Sequence, residues 1–184
     1  MLPTSVDKRI ILDLCGGTGA WSRPYAEAGY DVRNITLPDY DVRTYIPPDN
    51  VYGILAAPPC NEFSIAKGSQ LRDLDKAMKI VKACLEIIWQ CHPLFFWCLE
   101  NPRGLLRQFL GKPPLTIQLW QFGDGMDKPT DLWGYFDFPK KKFSQPVGLL
   151  KKIRDMPGGT DEKRQLMRAK TTPGFAKAFF KANQ

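Results

Sequence analysis

Histidine is almost missing from this chain: His92 is the single one, and it stands against Pro93. That removes His-rich metal sites and argues against a Ser/His triad. The five cysteines, at 15, 60, 84, 91 and 98, are an odd number with no Cys-x-x-Cys among them. Neither a disulfide framework nor a zinc site is indicated. Gly-x-Gly-x-x-Gly and Gly-Lys-Ser/Thr are both absent, so NAD and triphosphate readings lose ground. No apolar run approaches a membrane span, and the N-terminus lacks the charged-then-apolar order of a signal sequence. A cytosolic, non-membrane protein is expected.

What is present suits one globular domain over residues 1–184, with 43% apolar and 24% charged residues. The net charge of +7 permits a polyanionic partner without demanding one. Lys8 to Leu14 reads as a strand that runs into the glycine-rich turn Cys15-Gly16-Gly17-Thr18-Gly19. A helix follows, with Ser22 as its cap and Gly29 at its end. Such a unit brings backbone close to a ligand at a helix N-terminus. Asp13, at the strand end, suits a ligand carrying an amino group, as S-adenosylmethionine (SAM) does. The competing reading is a plain tight turn in an α/β protein.

Asp31–Leu37 and Val51–Ala57 are the next expected strands. Pro58 and Pro59 stop the second and throw Cys60 past its end, where ligands bind in open α/β sheets. Cys60 is therefore either a nucleophile at the rim or a small core residue. A mobile loop is expected over 62–72 and a helix over 73–91, with Cys84 and Cys91 on its apolar face. Leu94–Leu99 carries no polar residue and reads as a central strand covered on both faces, ending at Glu100-Asn101-Pro102. A short helix over 104–111, a strand over 115–122 and its hairpin partner over 132–138 come next. Residues 139–170 read as a basic, loop-rich excursion, and a terminal helix is expected over 175–183. The fold class expected is α/β and Rossmann-like, with a mostly parallel sheet and a C-terminal antiparallel hairpin.

Three strand ends thus carry Asp13 with its glycine turn, Cys60 after Pro-Pro, and Glu100-Asn101. Thiol, carboxylic acid and cofactor turn together suit methylation of a pyrimidine at C5. That carbon is a poor nucleophile until a thiolate adds to C6, and an acid at N3 stabilises the charge the addition creates.

On these residues the chain resembles the C5-cytosine DNA methyltransferases, over roughly residues 8 to 104. Asp13-Leu14-Cys15-Gly16-Gly17-Thr18-Gly19 with Trp21 is similar to their SAM loop. Ala57-Pro58-Pro59-Cys60-Asn61-Glu62-Phe63-Ser64 is similar to their catalytic Pro-Cys motif, and Leu99-Glu100-Asn101-Pro102 to their Glu-Asn motif, with Pro102 where many members carry valine. The resemblance implies a class I SAM-dependent methyltransferase fold, Cys60 as nucleophile and Glu100 holding N3. It implies a SAM site lined by the turn residues 13–19 and Trp21, with Asp41, Val42 and Pro58, Asp41 taking the adenine amino group. Pro59, Asn61, Ser64 and Asn101 fall to the base, as does Lys128 or Thr130. DNA is the implied substrate, in the cytosol of a bacterium or a phage-infected cell.

The departures are specific. The acidic residue that holds the SAM ribose is replaced by Asn34-Ile35-Thr36-Leu37, with Asp39 as a substitute if the turn folds back. The family's Gln-x-Arg-x-Arg segment and final Gly-Asn motif are missing. Fewer than forty residues separate Trp133 from Thr172, too few for a large target-recognition domain, as in small phage-type members. A partner protein supplying sequence recognition fits that gap. The basic 139–170 segment either holds phosphates or is a solvated surface. Two other functions remain open: the same chemistry on RNA or a pyrimidine nucleotide, and a silent SAM- or nucleic-acid-binding regulator.

Overall fold

The computed structural model describes residues 9–150 and 170–184. Among them one six-stranded sheet forms the centre: β1 (Ile10–Leu14), β2 (Asp31–Ile35), β3 (Val51–Ala56), β4 (Phe96–Pro102), β5 (Leu115–Gln118) and β6 (Pro129–Tyr135). The spatial order is β2-β1-β3-β4-β6-β5. β1, β2, β3 and β4 run parallel, and β6 pairs antiparallel with both β4 and β5. The sheet is therefore a mixed α/β sheet, parallel except for β6. The expected hairpin exists, but its second strand is inserted between β4 and β5.

Helices α1 (Arg23–Glu27), α2 (Leu74–Cys91), α3 (Leu106–Leu110) and α4 (Pro173–Ala182) complete the layers. Leu12, Leu14, Ile54 and Leu99 join Val81, Cys84 and Ile88 of α2 in one apolar cluster. Ile11, Leu55, Phe96 and Leu132 join Tyr25 of α1 with Phe175 and Phe179 of α4 in another. Alternation along the strands feeds both clusters, as a sheet covered on two faces requires. The α2 stripe follows from its apolar spacing, and Asp73 caps its start by accepting from the Lys76 amide at 2.9 Å. Cys84 is buried as expected, while Cys91 is half-buried.

Several boundaries differ from expectation. β4 begins at Phe96, leaving Leu94 and Phe95 exposed, and it continues through Pro102 because β6 pairs with it after β3 has stopped. Only Leu115–Gln118 of the expected 115–122 strand is extended. Gln118 and Gln121 form a reciprocal capping box, so Leu119–Phe122 turns into a 3-10 helix. β6 lies three residues earlier than read, since Gly123 and Gly125 take the positive φ of the turn and Met126 returns a carbonyl to the Trp120 amide. The loop expected to be mobile is tied down: Arg72 donates to the carbonyls of Glu62 and Ser64, and Lys67 pairs with Glu62 at 2.5 Å. The basic excursion is described only to residue 150, and its remainder to 169 lies outside the described residues. No described helix is long and apolar enough to cross a membrane.

Candidate active site

β1 delivers Asp13 fully buried beneath the glycine turn. The turn is closed by the Gly19 amide donating to the Gly16 carbonyl at 3.0 Å, and it feeds α1 through the Arg23 amide to the Gly19 carbonyl. Cys15, Gly17 and Gly19 all take positive φ, at 57°, 55° and 66°. Ser22 does not use its side chain as a helix cap; its hydroxyl donates to Asp13 Oδ2 at 2.5 Å. Asn34, opposite Asp13 in the register, donates to the Gly17 carbonyl at 2.9 Å. A Cβ on Gly16 would fall 2.3 Å from Asp13 Cγ and 2.5 Å from Asn34 Oδ1, so only glycine lets the turn lie on these two side chains.

Two acceptors in that layer, Asp13 Oδ1 and Asn34 Oδ1, are buried with no partner. Buried polar atoms in this state call for a donor. Burial pushes the Asp13 carboxyl up to about 6, against the Ser22 hydrogen bonds that lower it. A cationic ammonium at Oδ1 and a hydroxyl at Asn34 would satisfy both atoms, so these residues fit SAM. The sequence sets Asn34 in the segment that replaces the ribose-holding acid, but only the β1–β2 register brings it against Asp13.

β3 delivers the thiol. The Ala57 amide continues the ladder to the Leu14 carbonyl at 2.9 Å, Pro58 is buried, and Pro59 is exposed. Cys60 is half-buried at the start of a tight turn, its carbonyl accepting from the amides of Phe63 and Ser64 at 3.1 and 2.9 Å. That turn is joined to the segment after β4. Asn101 Nδ2 donates to the Pro58 carbonyl at 3.0 Å, the Leu105 amide to the Phe63 carbonyl at 2.9 Å, and Ser64 bridges to Gly104. A Cβ on Gly104 would sit 2.3 Å from the Phe63 oxygen, so the close approach requires glycine. The Cys60 turn and the Glu100 strand end are therefore held as one unit.

Glu100 lies in β4 one residue beyond the last pairing with β3, its side chain only 12% exposed. Burial pushes its pKa up, while Lys128 Nζ, 3.7 Å from Oε1, pulls it back; burial prevails. Thr130 is fully buried and donates its hydroxyl to the Lys128 carbonyl. Of those two residues, Lys128 is the one that touches Glu100.

The remaining expected site residues fall in different surroundings. Trp21 is buried against Phe175 and Phe179, at centroid distances of 5.8 and 5.3 Å, with its indole N–H unpartnered. Leu14 is fully buried and Val42 nearly so. Asp41 is clasped by Arg43, whose hydrogen bonds hold its carboxyl down at about 2. Thr18 and Asn61 are exposed, and Ser64 is half-buried. Behind the site, Asp131 of β6 is fully buried and accepts from Arg107 Nε and a second guanidinium nitrogen, each at 2.6 Å, and from Thr116 at 2.8 Å. Sequence reading missed that cluster, because its three members come from α3, β5 and β6.

No family model matches the chain, and no curated protein matches it. Among solved structures it is similar to a DNMT2 mutant of Spodoptera frugiperda, with 17% identity and a TM-score of 0.44, over 85% of this chain and 62% of that one. It is similar to the S. pombe Dnmt2 methyltransferase, with 14% identity and a TM-score of 0.45, over 80% of this chain and 60% of that one. The Entamoeba histolytica methyltransferase EhMeth matches with 10% identity and a TM-score of 0.47, over 85% of this chain and 62% of that one. The chain thus spans about three fifths of the length of these solved structures, at 60–62%.

Proposed function

We propose that this chain is a SAM-dependent methyltransferase that transfers a methyl group to C5 of a cytosine in DNA. One observation carries the reading: the Cys60 turn and the buried Glu100 are joined by Asn101, Gly104 and Leu105 into one rim, beside a glycine turn with two unpartnered acceptors. Asp13 and Asn34 would hold SAM, which supplies an electrophilic methyl group when bound. Asp41 or the backbone at Val42 would meet its adenine.

The protein's own residues account for the activation of the base. A flipped-out cytosine enters between Cys60 and Glu100. The Cys60 sulfur bonds to C6, and the C5–C6 π electrons become available at C5. Glu100, whose burial favours the protonated acid, places its proton at N3 and so neutralises the charge of the adduct. Lys128 keeps that carboxyl oriented and sets how readily it reprotonates. After methylation the C5 proton passes to water, the thiolate leaves C6, and N3 returns its proton to the Glu100 carboxylate, which restores the neutral ring. The exposed Lys140, Lys141 and Lys142 stand beside the 3-10 helix over 119–122, through the Lys142 amide to the Gln121 carbonyl, and supply phosphate contacts.

The test is covalent trapping. A DNA duplex carrying 5-fluorocytosine and SAM should give a stable complex through Cys60, because fluorine cannot leave as the proton does. Cys60→Ser should lose trapping and still bind SAM. Trapping on a matched RNA but not on DNA would move the substrate class to RNA. Turnover by wild type with no trapping on either, or full activity in Cys60→Ser, would sink the nucleophile assignment.

A further inference from the structure

We propose that Cys15 and Cys84 form a dithiol that hydrogen peroxide closes to a disulfide, a modification site placed in the floor of the glycine turn. The two sulfurs lie 4.0 Å apart, Cys15 at the end of β1 and Cys84 in the middle of α2. Among the described residues no other pair of cysteine sulfurs is in contact. Cys15 is half-buried and open to a small oxidant, whereas Cys84 is fully buried. The Cys15 contact and burial hold Cys84 in its thiol form, so it is inert until its neighbour is oxidised.

The chemistry proceeds in two steps. The Cys15 sulfur attacks hydrogen peroxide; the O–O bond breaks, leaving a sulfenic acid on Cys15 and releasing one water. The Cys84 sulfur then attacks the Cys15 sulfur; the S–O bond breaks, and the departing hydroxide takes the Cys84 proton as a second water. Two thiols and one peroxide give one disulfide and two waters. A disulfide needs the sulfurs about 2 Å apart. The Cys84 backbone is fixed inside an 18-residue helix, so the backbone adjustment falls to Cys15, which has positive φ and is followed by two glycines. Its movement displaces the turn that lies on Asp13 and Asn34. The consequence for the cofactor, which rests on the function proposed above, is loss of SAM binding in the oxidised protein.

The experiment treats the reduced full chain with hydrogen peroxide, with and without SAM, and maps thiols by peptide mass spectrometry under non-reducing conditions. The expected product is a Cys15–Cys84 cross-linked peptide lacking two hydrogens, formed more slowly with SAM present. SAM binding, read by calorimetry, should be lost with cross-linking and restored by dithiothreitol. Cys84→Ala, or Cys84→Val if the smaller side chain fails to fold, should instead carry Cys15 on to sulfinic acid, and its loss of SAM binding should resist dithiothreitol. Wild-type maps in which Cys15 is sulfinic or unmodified while Cys84 stays reduced would overturn the proposal. The cross-link is read without cofactor, so a protein that forms it yet never binds SAM would refute the function and not the dithiol.

Discussion

The Asp131 cluster gives the sharpest stability prediction. Arg107→Met keeps most of the aliphatic packing and removes the guanidinium, leaving a fully buried carboxylate with only Thr116 as donor. Breaking one partner of a buried pair costs about 3–5 kcal/mol, because the remaining charge is uncompensated. Arg107 is itself 31% exposed, so water screens part of the interaction and the lower end, about 3 kcal/mol, applies. For a domain of this size that lowers the melting temperature by about 6–12 °C. Urea unfolding followed by circular dichroism measures it, with an unchanged slope expected if the native state stays compact. The decisive comparison is Arg107→Met with Asp131→Asn. If the loss comes from a stranded charge, the double variant is more stable than the single one despite carrying an extra substitution. A single-variant loss below about 1 kcal/mol, or a double variant no better than the single, would show that the pair does not hold β6 against α3 as the geometry indicates.

Asp13, displaced from 3.8 to about 6, holds in the folded state a proton the unfolded chain has released, so stability should fall by about 3 kcal/mol as pH rises through that window. Asp13→Asn should flatten this slope in urea titrations at pH 3 and 7 (~4 units apart, bracketing the window), while SAM affinity in wild type should run the other way and rise with pH. Asp124 accepts from the Thr172 hydroxyl and from the Gly174 and Phe175 amides at 2.7–2.9 Å, acting as the cap of α4 from a distant turn. Asp124→Ala should cost about 1–2 kcal/mol and increase hydrogen exchange in α4 first. Lys128→Met removes the cation that pulls Glu100 back, so the alkaline limb of the trapping rate should move to higher pH; an unmoved limb would detach Lys128 from Glu100.

The elements that sequence placed well are those whose signal is local. Val51–Ala56 is an apolar run cut by two prolines, and Leu74–Cys91 has an apolar stripe with an aspartate before it. The three strand ends were legible for the same reason, and a parallel sheet does bring β1, β3 and β4 to one edge. What escaped was pairing over distance. Nothing in Pro129–Tyr135 shows that it enters between β4 and β5, yet that insertion extends β4 through Pro102 and places Lys128 against Glu100. Ser22 looked like a cap because Ser suits that position, but the buried Asp13 oxygen claimed its hydroxyl.

The same distinction separates the chemistry from its support. Cys60, Glu100 and Asp13 are visible as reactive types at or just past strand ends, beside the prolines and glycines that punctuate the chain there. The residues that hold them have ordinary neighbours in the sequence. Asn101 is one residue from Glu100, yet its amide reaches back to Pro58 and ties the Cys60 turn to the Glu100 strand. Gly104 is useful only because Phe63 approaches it, and Asn34 only because register sets it opposite Asp13. If the support matters as the geometry indicates, Gly104→Ala should impair trapping more than binding of SAM. The added methyl would press on the Phe63 carbonyl and so on the Cys60 turn, while the Asp13–Asn34 layer on the far side of β3 is untouched. Equal losses in both would mean that the two halves of the rim unfold together, and that Gly104 supports the fold rather than the placement of the thiol.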